Sequence, residues 1–594
     1  GITDVRIIEK GGDFGGTWYW NRYPGAMCDT ASMVYMPLLE ETGHMPTEKY
    51  AHAPEILEQC RRIGTQYGLY DHALFHTEVT GLEWDDSRSR WIVRTNRGDE
   101  FTAKYLGMGT GPLHVPKLPG IPGIELFEGH SFHTSRWDYD YTGGDPNGAP
   151  LDKLADNRVA IIGTGATAVQ AIPHLAAVCA TLYVFQRTPS SVDVRDNHPI
   201  DPDWFATINT PGWQKRWLEN FTANQAGGAA DEDLVQDGWT DLARRIRERI
   251  MTLPVEQRSI ENMLIAYEDA DFEKMSEIRD RIDRIVTDHD TAQQLKAWYN
   301  QLCKRPCFHD EYLQAFNEPG TRLVDTDGRG VERITANAVV VNGTEYEVDC
   351  IIYASGFEVG TPFEQRNGYD PIGRDGETLS QHWAEGMRTK HGTHVHGFPN
   401  LFIVQPTQGA NLISNVPHNL TEAGQTIAMT IAHAEANGFG QVEVTAEAEQ
   451  EWIDLLRTGA GSMNGKEAVI GTVLMLIGQN SRTVAEDVSA KIAVGRLPGW
   501  AHRVFPLPRR VAQRRPLRRT RVPLSRVSPS AGCCPVFGPP ALRSGRDVSD
   551  NRRMLSHYQQ ARQELLSPGS PFAVETIEVR GVPIKAFSSA PASM

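Results

Sequence analysis

No two of the chain's eight cysteines stand in a C-x-x-C pair, and Cys28, Cys60, Cys179, Cys303, Cys307, Cys350, Cys533 and Cys534 are otherwise scattered. That spacing argues for reduced thiols in a cytoplasmic protein and against a disulfide frame or a zinc site. Long apolar runs are missing as well. The longest nearly uncharged one, Ala468 to Gly478, is about half the ~20 residues a spanning helix needs, so no membrane span is predicted. The first residues carry no initiator methionine, basic stretch or cleavage site, so no signal peptide is expected and Gly1 reads as a cut end. Positive charge is in short supply: 59 Lys and Arg face 75 Asp and Glu, a formal charge of −16. Nucleic acid and anionic lipid are therefore not expected as partners for the body of the chain. What remains is a globular chain, 40% hydrophobic and long enough for three or four domains.

Glycine is placed where it tells most. Val5 to Ile8 is a short β-branched strand ending at Glu9, and Gly11, Gly12, Asp13, Phe14, Gly15 and Gly16 follow it. Taken alone, such a stretch is a surface turn; as the second strand of a dinucleotide-binding unit, its terminal acid would hold a ribose hydroxyl. The later turn is complete. Strand Arg158 to Ile162 leads into Gly163, Thr164, Gly165, Ala166, Thr167 and Ala168, a G-x-G-x-x-A that opens a helix, and Thr181 to Phe185 is the next strand. The glycines permit the tight turn and let a pyrophosphate approach the positive end of the helix. Gln186, Arg187 and Thr188 end that second strand. A guanidinium there can pair with a 2′-phosphate, which Glu9 would repel, so this unit suits NADPH. Tyr105 to Gly111 and Asp349 to Phe357 read as the closing strands of the two units. From about Trp213 to Leu302, apolar residues at helical spacing amid dense charge predict helices with solvated faces.

Two longer motifs give these units a family. Phe127, Gly129, His133, Trp137 and Asp138 spell F-x-G-x-x-x-H-x-x-x-W-D, and Gly15 to Asp29 spells G-G-x-W-x-W-x-R-Y-P-G-x-x-x-D. Together they resemble the Baeyer-Villiger monooxygenases, and the resemblance runs to about Leu456. It implies an α/β fold with two Rossmann-like dinucleotide-binding domains and a helical insertion. FAD belongs in the first domain and NADPH in the second, with a small-molecule ketone and O2 as substrates and an ester or lactone as product. The implied divisions are 1–150 and 357–456 for FAD, 151–212 and 303–356 for NADPH, 213–302 for the insertion, and 457–594 as an atypical, partly disordered tail.

The resemblance also assigns residues. FAD falls to Glu9, Gly16, Thr17, Trp18, Asp29, Tyr35 and Val79; NADPH falls to Gly163, Thr164, Gly165, Ala166, Thr167, Arg187, Thr188 and Lys304. Arg305 is the catalytic arginine, held by Asp29, because anions that arise in succession during such an oxygen transfer call for a positioned cation. A cationic helix end is the bland alternative for Arg305. His133 and Trp137 couple motion of the NADPH domain to catalysis, although a buried, satisfied histidine remains open for His133. Gln405 to Asn415 is expected near flavin and substrate.

Two departures stand out. The first strand and G-x-G-x-x-G of the FAD unit, due about 20 residues before Glu9, do not appear, which predicts weak FAD retention. Arg496 to Arg526 is rich in Arg and Pro and is expected to be disordered. Competing readings are a nitrogen- or sulfur-oxidising flavin monooxygenase, which would lack Trp137 and Asp138, and a remnant that binds NADP alone.

Overall fold

A computed structural model of the chain describes residues 2–225, 230, 232–258, 260–359, 361–404, 415–459, 572–579 and 582–589. The stretches 405–414, 468–478 and 496–526, for which the sequence carries expectations, lie outside these, as do Cys533 and Cys534. Strand β1 (Ile7–Ile8) is two residues shorter than its β-branched run suggests, and it pairs in parallel with β2 (Ala73–Leu74). An antiparallel meander follows, Val79–Asp85, Arg90–Thr95 and Glu100–Ala103, and then β3 (Leu106–Met108).

The principal sheet is parallel and five-stranded. Its members are β4 (His130–His133), β5 (Arg158–Ile162), β6 (Thr181–Gln186), β7 (Thr321–Asp325) and β8 (Cys350–Tyr353), in the spatial order β7-β6-β5-β8-β4. Two of its three inner strands, β5 and β8, carry continuous apolar runs, as strands covered on both faces must: Val159 to Ile161 and Cys350 to Ile352 are 0% exposed. Helix α1 (Ala166–Ala176) follows β5 and buries Ala168, Val169, Ile172 and Leu175 against the sheet. The chain leaves β5 for β6 on one side and meets β8 on the other, so the order reverses at the carboxyl ends of β5 and β8, where open α/β sheets receive ligands.

Helices Trp213–Gln225, α2 (Gly238–Thr252), Ile260–Ile285 and His289–Gln294 occupy the 213–302 stretch for which the sequence predicts helices. Asp237 caps α2 in a capping box with Thr240, which supplies partners to amides the helix cannot satisfy itself. Strand β9 (Leu401–Ile403) returns to pair with β3. Helix Ala446–Gly459 runs on past Leu456, and Phe572–Val579 pairs with Val582–Ser589 as an antiparallel hairpin, so the region after 457 contains regular structure. No helix among the described residues is long and apolar enough to cross a membrane.

Candidate active site

The glycine turn Gly163 to Ala168 sits at the point of strand reversal. Gly163 has φ +115°, and a Cβ there would lie 2.5 Å from the Ala354 carbonyl just beyond β8, so only glycine lets the two strand ends approach. At Gly165, which caps α1, a Cβ would meet nothing within 4 Å, leaving open space before the helix terminus. Thr164 Oγ1 donates to the Thr188 carbonyl at 3.1 Å and so ties the turn to the end of β6. Gln186 is fully buried and donates to the Gln294 carbonyl and Asp325 Oδ2, while Arg187 beside it is exposed. Lys304 is exposed as well, and burial of its stem followed by repulsion from Arg187 pulls its pKa below the ordinary value. Among the described residues no carboxylate pairs with either cation. Thr167 reaches Tyr23, whose hydroxyl burial pushes up to about 12.

On the other nucleotide side, Glu9 Oε1 accepts the Gly11 N–H at 2.6 Å, which fixes the carboxylate at the end of β1. Gly16 has φ +50° and open space at its Cβ position, and Thr17 starts the short helix that carries Trp18. The Trp18 indole donates to Tyr35 Oη at 3.0 Å, and burial raises the Tyr35 pKa. Val79 packs with Ile8 against the Leu82, Trp84 and Trp91 core. The glycine turns, the open spaces and the unpaired Arg187 and Lys304 therefore fit dinucleotides.

Asp29 is the meeting point of distant segments. It is 4% exposed, and Arg305 Nη2 donates to its Oδ2 at 3.0 Å. Arg195 Nη2 donates to the other oxygen, Oδ1. One short feature positions both arginines: Val192–Asp193 pairs in parallel with Cys307–Phe308, with Arg195 two residues after one partner and Arg305 two residues before the other. The guanidinium of Arg195 also gives two bonds to the Phe308 carbonyl, from Nε at 3.0 Å and Nη2 at 2.5 Å. From α2, Trp239 donates its indole N–H to the Asp29 carbonyl at 2.8 Å, and the Arg305 guanidinium lies over its ring, 5.8 Å from the centroid. Burial pulls the Arg305 pKa down, but attraction and hydrogen bonding from Asp29 more than offset this and hold it above the ordinary value. Gln170 on α1 links the cluster to the nucleotide helix, accepting from Tyr23 Oη at 2.8 Å and donating to the Met27 carbonyl at 3.0 Å.

The F-x-G-x-x-x-H-x-x-x-W-D segment lies at the joint between these regions. His133 ends β4; its Nδ1 accepts the Ser135 N–H at 3.1 Å, and burial pushes its pKa down to about 4. The ring meets Phe357 edge-on at 5.8 Å, where the chain leaves β8. The Gly356 carbonyl acts on the ring, yet the buried Nε2 makes no bond of hydrogen-bond geometry. Trp137 donates to Thr142 Oγ1 at 3.0 Å and packs against Tyr23, Ala26 and Ala171. Neither residue contacts the Asp29 cluster in the hydrogen bonds and ring contacts of the described residues.

No family model matches the chain. A relative from Streptomyces avermitilis named neopentalenolactone D synthase is 53% identical over 454 residues, covering 76% of each chain. A protein from Streptomyces coelicolor named Baeyer-Villiger monooxygenase is 48% identical over 460 residues, covering 77% of this chain and 75% of its own. The chain belongs to the Baeyer-Villiger monooxygenases. Among solved structures of this family's likeness, a polycyclic ketone monooxygenase from Thermothelomyces thermophila matches with TM-score 0.71 and 38% identity over 82% of this chain and 80% of its own. A structure titled OTEMO in complex with FAD and NADP matches with TM-score 0.65 and 29% identity over 76% and 84%.

Sequence reasoning found Asp29 and Arg305 but missed Arg195 and Trp239. Arg195 stands in the polar run Asp193, Val194, Arg195, Asp196 and Asn197, which reads as a solvated loop. Trp239 opens a highly charged helix and carries no motif.

Proposed function

We propose that the chain converts ketones to esters or lactones, using O2, FAD and NADPH as a Baeyer-Villiger monooxygenase does. The observation that carries this reading beyond family membership is the half-exposed Arg305, paired to the buried Asp29 at the carboxyl side of the nucleotide sheet. FAD and NADPH, when bound, supply the activation of O2 and the reducing electrons. The protein's own residues bind, orient and neutralise charge. Residues 151–212 and 303–356 hold NADPH: Gly163 to Thr167 accept the pyrophosphate, and Arg187, Thr188 and Lys304 receive the 2′-phosphate, where two cations without a carboxylate repel each other until an anion arrives. Residues 1–150 and 357–456 hold FAD through Glu9, Gly16, Thr17, Trp18, Asp29, Tyr35 and Val79. Arg305 presents its free donors to negative charge developing on oxygen, while Asp29 holds the guanidinium by one edge. His133, neutral at pH 7, and Trp137 transmit movement of the NADPH side through Phe357 and Tyr23. The insertion, 213–302, brings Trp239 onto the arginine.

Trp137 and Asp138 are present, and the relatives named Baeyer-Villiger monooxygenases leave the nitrogen- and sulfur-oxidising alternative without support. Relatives named for a lactone synthase and for polycyclic ketones make fused-ring ketones the first substrates to try. The chain, supplied with FAD and NADPH under ¹⁸O₂, is expected to yield a lactone carrying one ¹⁸O atom. NADPH consumption with unchanged ketone would refute the assignment.

A further inference from the structure

Arg195 and Arg305 grip the same carboxylate in opposite ways. Arg195 has a side chain 2% exposed, bonded to Asp29 Oδ1 and twice to the Phe308 carbonyl. Its position is fixed from two sides. Arg305 has a side chain 53% exposed and a single bond, to Oδ2. A buried carboxylate that loses its only cation is strongly destabilised, because an uncompensated charge is left in a poorly solvated place. Were Arg305 the sole partner of Asp29, any movement towards another anion would leave that charge behind. With Arg195 in place, Asp29 stays paired whichever way Arg305 turns. Two cations on one carboxylate also divide its attraction, so Arg305 is held less tightly than in an isolated pair.

We propose that Arg195 is a positioning residue that keeps Asp29 paired and oriented, and thereby frees Arg305 to leave the carboxylate and serve the reacting oxygen. This rests on the assignment of oxygen transfer to Arg305, but its electrostatic part does not need turnover. The carboxylate is aimed by Arg195, whose fork also spans Oδ1 and the Phe308 carbonyl. It is steadied by Trp239 on its backbone carbonyl and by Gln170 Nε2, 3.4 Å from Oδ1. Arg305 alone lacks a second anchor among the contacts of the described residues beyond the face of the Trp239 ring. The cluster is therefore built with one fixed cation and one exchangeable one.

The test is a thermodynamic cycle on the full chain. Thermal midpoints are measured at pH 7 for the parent, Arg195→Met, Arg305→Met and the double variant. Arg305→Met is expected to move the midpoint by less than ~2 °C in the parent and by at least ~5 °C in the Arg195→Met background, where Asp29 loses its last cation. If the double variant does not fold, adding Asp29→Asn should restore folding by removing the stranded charge; failure to do so would make Arg195 a packing residue and overturn the proposal. In turnover, Arg195→Met should lower ester formed per NADPH oxidised by on the order of tenfold, with Arg195→Lys recovering part of it, because Lys keeps the charge and lacks the fork. Equal cost of Arg305→Met in both backgrounds overturns the inference. A parent chain that makes no ester while the cycle behaves as expected overturns the proposed function instead, and leaves the electrostatic part of the proposal standing.

Discussion

The pair Arg187 and Lys304 and the pair Arg195 and Arg305 are arranged in opposite senses. Arg187 and Lys304 lie near the end of β6 with no carboxylate paired to either among the described residues, and burial followed by repulsion from Arg187 depresses the lysine. Arg195 and Arg305 share Asp29. An open pair is unfavourable until an anion with permanent charge fills it, which suits a phosphate that stays through turnover. A closed pair is already neutralised in part, which suits a charge that appears briefly and then disappears. On the proposed reading, similar residue types serve binding in one region and chemistry in the other, and the difference is the placement of a single buried carboxylate.

Removing the exchangeable half of the closed pair should produce the largest effect. Arg305→Ala is expected to lower ester formation by ~10² to 10³ while NADPH oxidation continues, as read by product analysis beside absorbance. Opening the other pair further costs less. Arg187→Ala loses charge-assisted bonds of about 1.5–3 kcal/mol, so kcat/KM for NADPH should fall by roughly 10- to 10²-fold while that for NADH holds; equal loss for both coenzymes would break the comparison.

A third charged cluster, remote in sequence from both pairs, serves as a control. Glu449 is 1% exposed and pairs with His382 and Arg388. Burial raises its pKa, but the His382 bond and its neighbours win and hold it low; burial lowers His382, and Glu449 outweighs that and raises it. The carboxylate's contribution is present above the ordinary value of 4.5 and fades as pH falls through its depressed value. The histidine's contribution is present below 6.5 and fades as pH rises through its raised value. Thermal stability from this cluster should therefore peak between those limits. Glu449→Gln should flatten the profile at a cost of about 1–3 kcal/mol without altering ester formed per NADPH. The smallest effect is expected at Trp239→Phe, which keeps the ring and removes one hydrogen bond of about 0.5–1.5 kcal/mol; the ester yield should fall by less than ~10-fold, and no change at all would remove Trp239 from the cluster.

How much of this was legible in the sequence follows from distance along the chain. Gly163, Gly165 and Arg187 are fixed by one β-α-β stretch, so spacing alone places them, and the structure has strand, turn, helix and strand in the expected order. Asp29 and Arg305 were found only because each stands in a longer motif of a known family. Arg195 reaches Asp29 across 166 positions through a pair of two-residue strands, too short to leave any periodic mark. Trp239 likewise reaches across 210 positions from the first turn of a helix. The strand at Val5 to Ile8 was read too long because only Ile7 and Ile8 have a partner strand to bond. Side-chain type and spacing report what neighbours in sequence can do together; they are silent on which carboxylate two remote arginines will share.

The most direct test of the account sets Arg305→Ala and Arg187→Ala side by side, with FAD, NADPH, O2 and one ketone accepted by the parent, and measures ester formed per NADPH oxidised. The closed pair is predicted to govern oxygen transfer, so the ratio should collapse in Arg305→Ala; the open pair is predicted to govern coenzyme binding, so in Arg187→Ala both quantities should fall together with the ratio unchanged. An unchanged ratio in Arg305→Ala, or a collapsed one in Arg187→Ala, would contradict the division of labour between the two pairs.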